Sequence, residues 1–387
     1  IYMKKIEFKS MLVSIILVLL IYYFYTPALN IHAIEFWIFI IVALCIYGAS
    51  TSYSTLLSKK FKPEKVGYLG AAVALIVAGV LVTDLFTSKI FHASRYASRI
   101  EVENVKFNNK TLHEVDFSKT PIIDRKSTVK LGDKVMGEIP EYVSQFEVSD
   151  DYTQISYKNS VYRVTPLEYA SFFKYLANSK NGIPAYITVN STNGKTDIVK
   201  LKDLGLDGMK YVPSAILNHN LNRKLQLSYP TCIFGSPSFE VDEKGHPWYV
   251  CTTYTYFGVG NKKKVTGAVL FDPITGKSKK YDKDKVPKWV DRVYPENLIM
   301  TEIDENGSLQ DGFFNSVLGQ KNVTVTSEGY NYLEKDGDIW IYSGITSANK
   351  DSSNLGFVLS NLRTHQTLRF SCSGANEKAA MKSAEGE

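Results

Sequence analysis

The chain has 387 residues, a length that exceeds one ordinary domain and fits a membrane segment followed by two or three small modules. Its formal charge of +6 arises from 45 basic and 39 acidic side chains. Because these charges are interspersed and form no basic stripe, the composition excludes nucleic acid as an expected partner.

Three uncharged apolar runs dominate the first 91 residues. They predict a membrane domain at 1–91 with transmembrane helices at about 10–28, 34–56 and 66–86, because about 20 apolar residues are needed to cross the hydrocarbon core. The lipid bilayer is therefore an expected partner. A cleaved signal peptide is the alternative for the first run, but aromatic residues stand where a small-residue cleavage site would be required.

Lysine placement predicts the orientation of these helices. The turn between the first two runs, residues 26–33, carries no Lys or Arg, whereas lysines flank the other ends of the helices. By the positive-inside rule the N-terminus is cytoplasmic, and three crossings place the large C-terminal domain outside. The lysines concerned are Lys4, Lys5, Lys9, Lys59, Lys60, Lys62 and Lys65.

The rest of the chain predicts an α+β fold. Residues 92–160 indicate a linker and a β-rich segment, with short strands at 120–124 and 129–133 and a hairpin at 152–162. Thr165 and Glu168 form a capping-box pattern that predicts a helix ending before Gly182. A second helix is expected at 214–225. Strands are expected at 183–189, 196–201, 238–241, 247–256, 265–271 and 277–281.

A degenerate repeat of about 90 residues is the main organising feature of this region. The segment from Glu334 to Tyr342 parallels that from Asp242 to Val250, and Trp340 then matches Trp248. The segments 267–275 and 356–364 correspond in the same way. The pattern predicts a first α+β region at 161–295 and a second, degenerate one at 296–387. Residues 376–384 begin a further helical pattern, so we expect the second region to be truncated.

The first of these regions resembles the PepSY family of secreted and membrane-anchored bacterial domains. The resemblance rests on a helix followed by Trp248, then the strand and turn of residues 267–276, which ends Asp-Pro-Ile-Thr-Gly. The whole layout is similar to uncharacterised membrane proteins of low-GC Gram-positive bacteria, some labelled as colicin V production proteins. The resemblance implies repeated PepSY/cystatin-like sheet-plus-helix modules that bind or inhibit other envelope components. It supplies no catalytic residue.

The sequence shows no catalytic, cofactor-binding or metal-binding motif. The six histidines are scattered without a close pair, and no Cys/His spacing suits a metal. We therefore expect no enzyme activity and no cofactor. Cys232 and Cys251 are the best-placed pair for a disulfide in an oxidising compartment, although an unpaired thiol at each is the favoured alternative.

The most distinctive short segment is Lys-Trp-Val-Asp-Arg at 288–292. We take Trp289, Asp291, Arg292 and Trp248 as candidate partner-binding residues. A structural ion pair beside an indole ring is the alternative interpretation of the same residues.

The sequence favours a non-enzymatic, membrane-anchored extracytoplasmic protein of the bacterial cell envelope that binds or regulates an envelope protein or a wall polymer. Two alternatives stay open. One is a membrane component of a transport or export system, in which Asp84 would matter most. The other is an envelope enzyme whose site is assembled across modules.

Overall fold

The computed structural model describes residues 2–57, 63–108, 111–112, 120–327, 329–348 and 353–375. The predicted lysine-rich connection at 59–62 and the predicted helix at 376–384 lie outside these ranges. The chain divides into two compact units. The membrane unit comprises Ile1–Ser88, Asn222–Ile233 and Tyr254–Lys264, and the sheet unit comprises the remainder of the chain.

Three long helices form most of the membrane unit: α1 (Tyr2–Tyr25), α2 (Ile34–Leu57) and α3 (Pro63–Thr87). Each contains a stretch long and apolar enough to cross a membrane, at Phe8–Tyr25, Ile34–Tyr53 and Val66–Thr87. The prediction of three long apolar helices in this region is thereby confirmed, each with a candidate membrane span. Their apolar side chains are largely exposed in the isolated chain, as expected for surfaces that meet lipid.

The sheet unit is α+β, as predicted, and the described residues contain six α-helices shorter than the three membrane helices. They are α4 (Lys89–Ala97), α5 (Arg125–Gly137), α6 (Pro140–Val143), α7 (Phe172–Asn178), α8 (Leu221–Ser228) and α9 (Glu296–Leu309). All of α8 except Leu221 belongs to the membrane unit. Ile299 and Ile303 of α9 are buried, as are Ala93, Tyr96 and Ala97 of α4, which form one apolar cluster with Leu309.

The strands form three sheets. The first contains β2 (Phe146–Val148), β3 (Thr153–Tyr157), β4 (Ser160–Tyr169), β5 (Ala185–Asn190) and β6 (Thr196–Lys200). The second contains β7 (Ile233–Phe234), β8 (Ser238–Val241), β9 (Pro247–Thr255), β10 (Lys264–Phe271) and β11 (Ser278–Asp282). The third contains β1 (Val102–Val105), β12 (Thr324–Thr326), β13 (Asn331–Lys335), β14 (Asp338–Ser347), β15 (Ser353–Asn361) and β16 (Thr367–Ala375).

Each sheet is built around four consecutive antiparallel strands. These are β3 to β6, β8 to β11 and β13 to β16, each strand pairing with the next. In the first sheet α7 lies between the second and third strands of the four. In the third sheet β1 joins the outer edge of β16 in parallel register. Their buried aliphatic and aromatic residues form the core, including Val164, Ile187, Val250, Phe271, Ile341 and Phe370.

The turn between the last two strands has the same hydrogen bonds in all three sheets. The side chain of its first residue accepts the backbone N–H groups two and three positions later, and the first residue's carbonyl accepts the N–H four positions later. The fifth residue has a left-handed backbone, with φ of 73°, 72° and 68° in the three turns. The first residues are Asn190, Asp272 and Asn361, and the fifth are Gly194, Gly276 and His365.

Two expectations for the first sheet were wrong. The predicted helix from Thr165 is instead the end of β4, where Thr165 pairs with Ile187 of β5. Strand pairing and burial on both faces outweigh the capping pattern there, since all four residues from Val164 to Leu167 are buried. The helix begins later, at α7, where the Ser171 side chain accepts the N–H of Lys174.

The strands expected at 120–133 are also absent from this described segment, most of which is helix α5. Asp124 caps the helix by accepting the N–H of Ser127 at 2.7 Å. Its buried residues are Thr128, Gly132 and Met136, spaced four apart. Because two of these three are small or polar, the helical period is not visible as an apolar pattern.

Two smaller outcomes concern α8 and the cysteines. The helix expected at 214–225 starts later and follows a short 3₁₀ turn at Leu217–His219. No disulfide joins Cys232 to Cys251 in this structure, so the pairing considered for them does not form. Cys251 lies inside β9, where burial raises the pKa of its thiol.

Candidate functional site

A cavity of about 460 Å³ lies in the sheet unit and is lined by residues from all three sheets. Its size falls within the range of about 300–1,000 Å³ that is typical of small-molecule sites. The lining comes from the β3–β4 turn, the β8–β9 loop, the segment 288–291, the β13–β14 turn and the β15–β16 turn. The main residues are Tyr157, Lys158, Glu243, Lys288, Trp289, Asp291, Asp336, Asp338 and Arg363.

Two tight hairpins present their turns to this cavity. Lys158 and Asn159 have φ of 52° and 58°, and Asp336 and Gly337 have φ of 57° and 82°. Two successive left-handed residues match the twist of antiparallel strands and allow a two-residue connection. The short turns therefore hold Lys158 and Asp336 at the rim, where both side chains are exposed.

Two buried carboxyl groups meet at the site: Asp291 lines the cavity, and Glu240 bonds the backbone of Asp291 behind it. Glu240 accepts the backbone N–H of Asp291 at 2.9 Å and that of Arg292 at 3.2 Å. Asp291 in turn accepts the N–H of Ser156 at 2.7 Å. These bonds connect β8, the segment 288–292 and β3, so the carboxyl pair joins the first and second sheets beneath the cavity.

Burial determines the protonation of this pair. Loss of hydration raises the pKa of Glu240 to about 7, although the two backbone N–H groups and Arg292 oppose the shift. Burial raises the pKa of Asp291 well above its usual value, and the adjacent Glu240 carboxyl raises it further. A protonated carboxyl group can donate a hydrogen bond, and burial favours this neutral form of Asp291 at the cavity.

Arg363 and Asp338, which both line the cavity, form an ion pair with fixed geometry. Arg363 donates from Nε to Oδ1 of Asp338 at 2.8 Å and from Nη2 to Oδ2 at 2.6 Å. The Asn361 amide also donates to Oδ2 at 2.8 Å. This bidentate geometry orients the guanidinium and leaves the pair nearly neutral.

The four residues predicted from sequence have different positions. Trp289 and Asp291 line the cavity. Trp248 lies against Trp289, with ring centroids 5.8 Å apart, and donates from Nε1 to Asp242 at 3.3 Å. The Arg292 side chain instead donates from Nε to Glu296 at 2.8 Å, a residue outside the predicted set.

Sequence reasoning missed Glu240 and most of the rim. Glu240 lies in an ordinary strand pattern, and nothing in its neighbourhood along the chain indicates burial of a carboxyl group. Lys158 comes from the first sheet, whereas Asp338 and Arg363 come from the third, so Lys158 approaches the other two only through the tertiary fold. Their position at or next to hairpin turns could have predicted that these side chains lie near the surface. It could not have predicted that they meet at one cavity.

A second, smaller cavity of about 290 Å³ lies between α9, β12 and the β1–β16 edge, with Arg369 among neutral amide side chains. Among the described residues, no group of three or more His, Cys, Asp or Glu side chains is arranged to hold a metal ion.

No family model, curated protein or solved structure matches the chain.

Proposed function

We propose that the chain is a membrane-anchored binding protein of the bacterial cell envelope whose extracytoplasmic sheet unit carries three PepSY-like modules and binds a peptide segment of another envelope protein. The observation that carries the proposal is the cavity at which turns of all three sheets converge. The function is binding without catalysis. The buried carboxyl groups of the site are held by backbone N–H groups, and Asp338 is held by Arg363.

The modular part of the proposal is supported by the common strand order and the common turn. Asn190, Asp272 and Asn361 occupy equivalent positions in the three turns. An Asn or Asp side chain that accepts the N–H groups two and three positions later is a common local turn motif. Its occurrence at the same position in three four-strand sheets nevertheless favours a threefold repeat. The sequence had indicated two such units.

The orientation rests on lysine placement and is supported by contacts inside the membrane unit. Leu29, in the lysine-free turn between α1 and α2, donates its N–H to Pro230 at 2.7 Å. Asn261 donates to the Asp84 carboxylate near the end of α3 at 2.6 Å. Residues far along the chain thus contact the ends of the helices that the positive-inside rule assigns to the outer side. Asp84 has a structural partner in this arrangement, which favours anchoring over transport.

The ligand class follows from the charges and rings of the cavity. Lys158 and Lys288 are exposed cations, Glu243 and Asp336 are exposed anions, and Trp289 supplies a partly buried apolar face. A wall of mixed charge suits a ligand that carries both signs and many amide groups. A short peptide segment meets this requirement, with the buried Asp291 donating to a peptide carbonyl.

Titration with peptides tests the proposal directly. Full-length protein in lipid nanodiscs is titrated with a library of short peptides containing both charges and with muropeptides, and binding is followed by calorimetry. We expect a subset of peptides to bind, and the double variant Lys158→Glu/Lys288→Glu to weaken binding at least about tenfold, equivalent to about 1.4 kcal/mol.

The matched control is Lys180→Glu/Lys202→Glu, which makes the same charge change at exposed positions that do not line the cavity. It is expected to bind as the wild type does. Equal loss in both variants would indicate a non-specific charge effect, and binding of muropeptides alone would replace the peptide ligand with a wall polymer.

Sidedness is tested separately by cysteine labelling in intact cells. Lys283→Cys is introduced at an exposed position in a chain whose four native cysteines are replaced by Ser. Labelling by a membrane-impermeant maleimide before lysis is expected. Labelling that occurs only after lysis would overturn the extracytoplasmic assignment.

A further inference from the structure

Two segments from the second half of the chain fold onto the ends of the membrane helices. They are Asn222–Ile233 and Tyr254–Lys264, and both belong to the membrane unit. In the first segment, the carbonyl of Thr231 accepts the side-chain amide of Asn30 at 3.0 Å. These contacts fix part of the chain beside the turn that links α1 and α2.

The second segment is the tip of the β9–β10 hairpin, and it is fixed at two helix ends. The backbone N–H of Gly260 donates to the His32 carbonyl at 3.0 Å, and the His32 ring bonds the Gly258 carbonyl at 2.7 Å. Asn261 donates from Nδ2 to Oδ1 of Asp84 at 2.6 Å.

The depth of this tip follows from the length of α3. The apolar stretch Val66–Thr87 is long enough to cross the hydrocarbon core, and Asp84 lies in its last turn. A group bonded to that carboxylate therefore lies where the hydrocarbon gives way to lipid headgroups. Gly258 supports this close approach, because a Cβ added there would be 2.2 Å from the Thr87 hydroxyl.

Three lysines follow Asn261 directly, at positions 262, 263 and 264. Consecutive Cα atoms are about 3.8 Å apart, so the Cα atoms of all three lysines lie within roughly 12 Å of the Cα of Asn261, the residue bonded to Asp84. The ammonium group of Lys263 lies 3.9 Å from the centre of the Tyr254 ring. Tyrosine rings prefer the headgroup zone, and lysines reach from such positions towards phosphates.

A fourth cation occupies the end of α1. Arg223 donates from Nε to the Tyr23 carbonyl at 2.8 Å. Its guanidinium also lies over the Tyr23 ring at 4.8 Å and the Phe24 ring at 5.4 Å. Because the apolar stretch Phe8–Tyr25 ends at these residues, Arg223 is held at headgroup depth as well.

We propose that Arg223 and Lys262, Lys263 and Lys264 form an interfacial binding site for the phosphate headgroups of anionic phospholipids. Each cation near a charged membrane surface strengthens lipid association roughly fivefold. The site would favour phosphatidylglycerol over phosphatidylcholine in the lipids that surround the helices. It does not depend on the ligand of the cavity or on the side of the membrane.

Lipid retention measures this preference. Full-length protein is purified from bilayers of equal phosphatidylglycerol and phosphatidylcholine, washed in mild detergent, and the retained lipids are quantified by mass spectrometry. The wild type is expected to retain phosphatidylglycerol in at least fivefold excess. The triple variant Lys262→Gln/Lys263→Gln/Lys264→Gln is expected to lose most of this excess, and the loss should be smaller at high salt.

The matched control is Lys277→Gln/Lys279→Gln/Lys280→Gln, which removes the same charge from the β10–β11 region of the sheet unit. This control should retain lipid as the wild type does. Equal retention of the two lipids by the wild type, or equal loss in both triple variants, would overturn the proposal. Displacement of the lipid by millimolar glycerol phosphate would also overturn it, since the site would then recognise a free phosphate.

Discussion

Replacement of Asp291 by Asn should change how the stability of the sheet unit depends on pH. The carboxyl group is buried, and burial together with the adjacent Glu240 raises its pKa well above the usual value. The folded protein then holds a proton that the unfolded chain releases above its ordinary pKa of about 3.8. Stability therefore falls as the pH rises through this interval.

The expected size follows from proton linkage. One extra proton bound by the folded state costs about 1.4 kcal/mol of unfolding free energy per pH unit. Asparagine has no proton to lose, and its amide oxygen retains the bond from the Ser156 N–H. The variant should therefore match the wild type near pH 4, close to the ordinary pKa of Asp291, and exceed its stability by a growing margin as the pH rises above that value.

Urea unfolding of the full chain in detergent, followed by tryptophan fluorescence from pH 5 to pH 8, measures this difference. Asp336→Asn is the control, because Asp336 lies at the rim of the same cavity with an exposed carboxylate. That variant should keep the wild-type slope. Parallel slopes for wild type and Asp291→Asn would mean that Asp291 is ionised in the folded protein, and the neutral donor in the cavity would be refuted.

Three further predictions concern the packing of the sheet unit. Arg99→Met should destabilise it by about 3–5 kcal/mol in urea unfolding, because Glu305 would lose its buried ion-pair partner and Glu302 would keep only its bond to His365. Lys285→Met, at an exposed ion pair, should change stability by less than about 1 kcal/mol. Gly267→Ala should lower stability by about 1–3 kcal/mol, since its Cβ would lie 2.0 Å from the Tyr281 carbonyl, while Gly137→Ala has open space and should be neutral in the same assay. Ser171→Ala should cost about 1 kcal/mol through loss of the cap of α7, and an unchanged melting temperature would contradict that role.

The sequence by itself determined the membrane helices and most of the strands of the second sheet. Hydrocarbon offers no hydrogen bonds to the backbone, so an uncharged run of sufficient length has one stable conformation there, whatever follows it. The strands β8 to β11 were predicted nearly to the residue, because short runs of β-branched, aromatic and apolar residues between strong turn residues act over short distances.

The tertiary structure decided what local patterns left ambiguous. Thr165 and Glu168 match the sequence pattern of a helix capping box, yet this segment pairs with β5 and is buried as a strand. Helix α5 shows the converse, because its buried face is made of small and polar residues that give no apolar period.

Some residues of the candidate site could be identified from the sequence, and others only from the tertiary structure. Trp289 and Asp291 were identified because an indole beside an acid and a cation is conspicuous along the chain. Glu240 and Arg363 were not, since they come within reach of Asp291 only when separate sheets pack together. Their electrostatics are likewise a property of the fold, because the cost of burying a carboxyl group depends on what surrounds it in space.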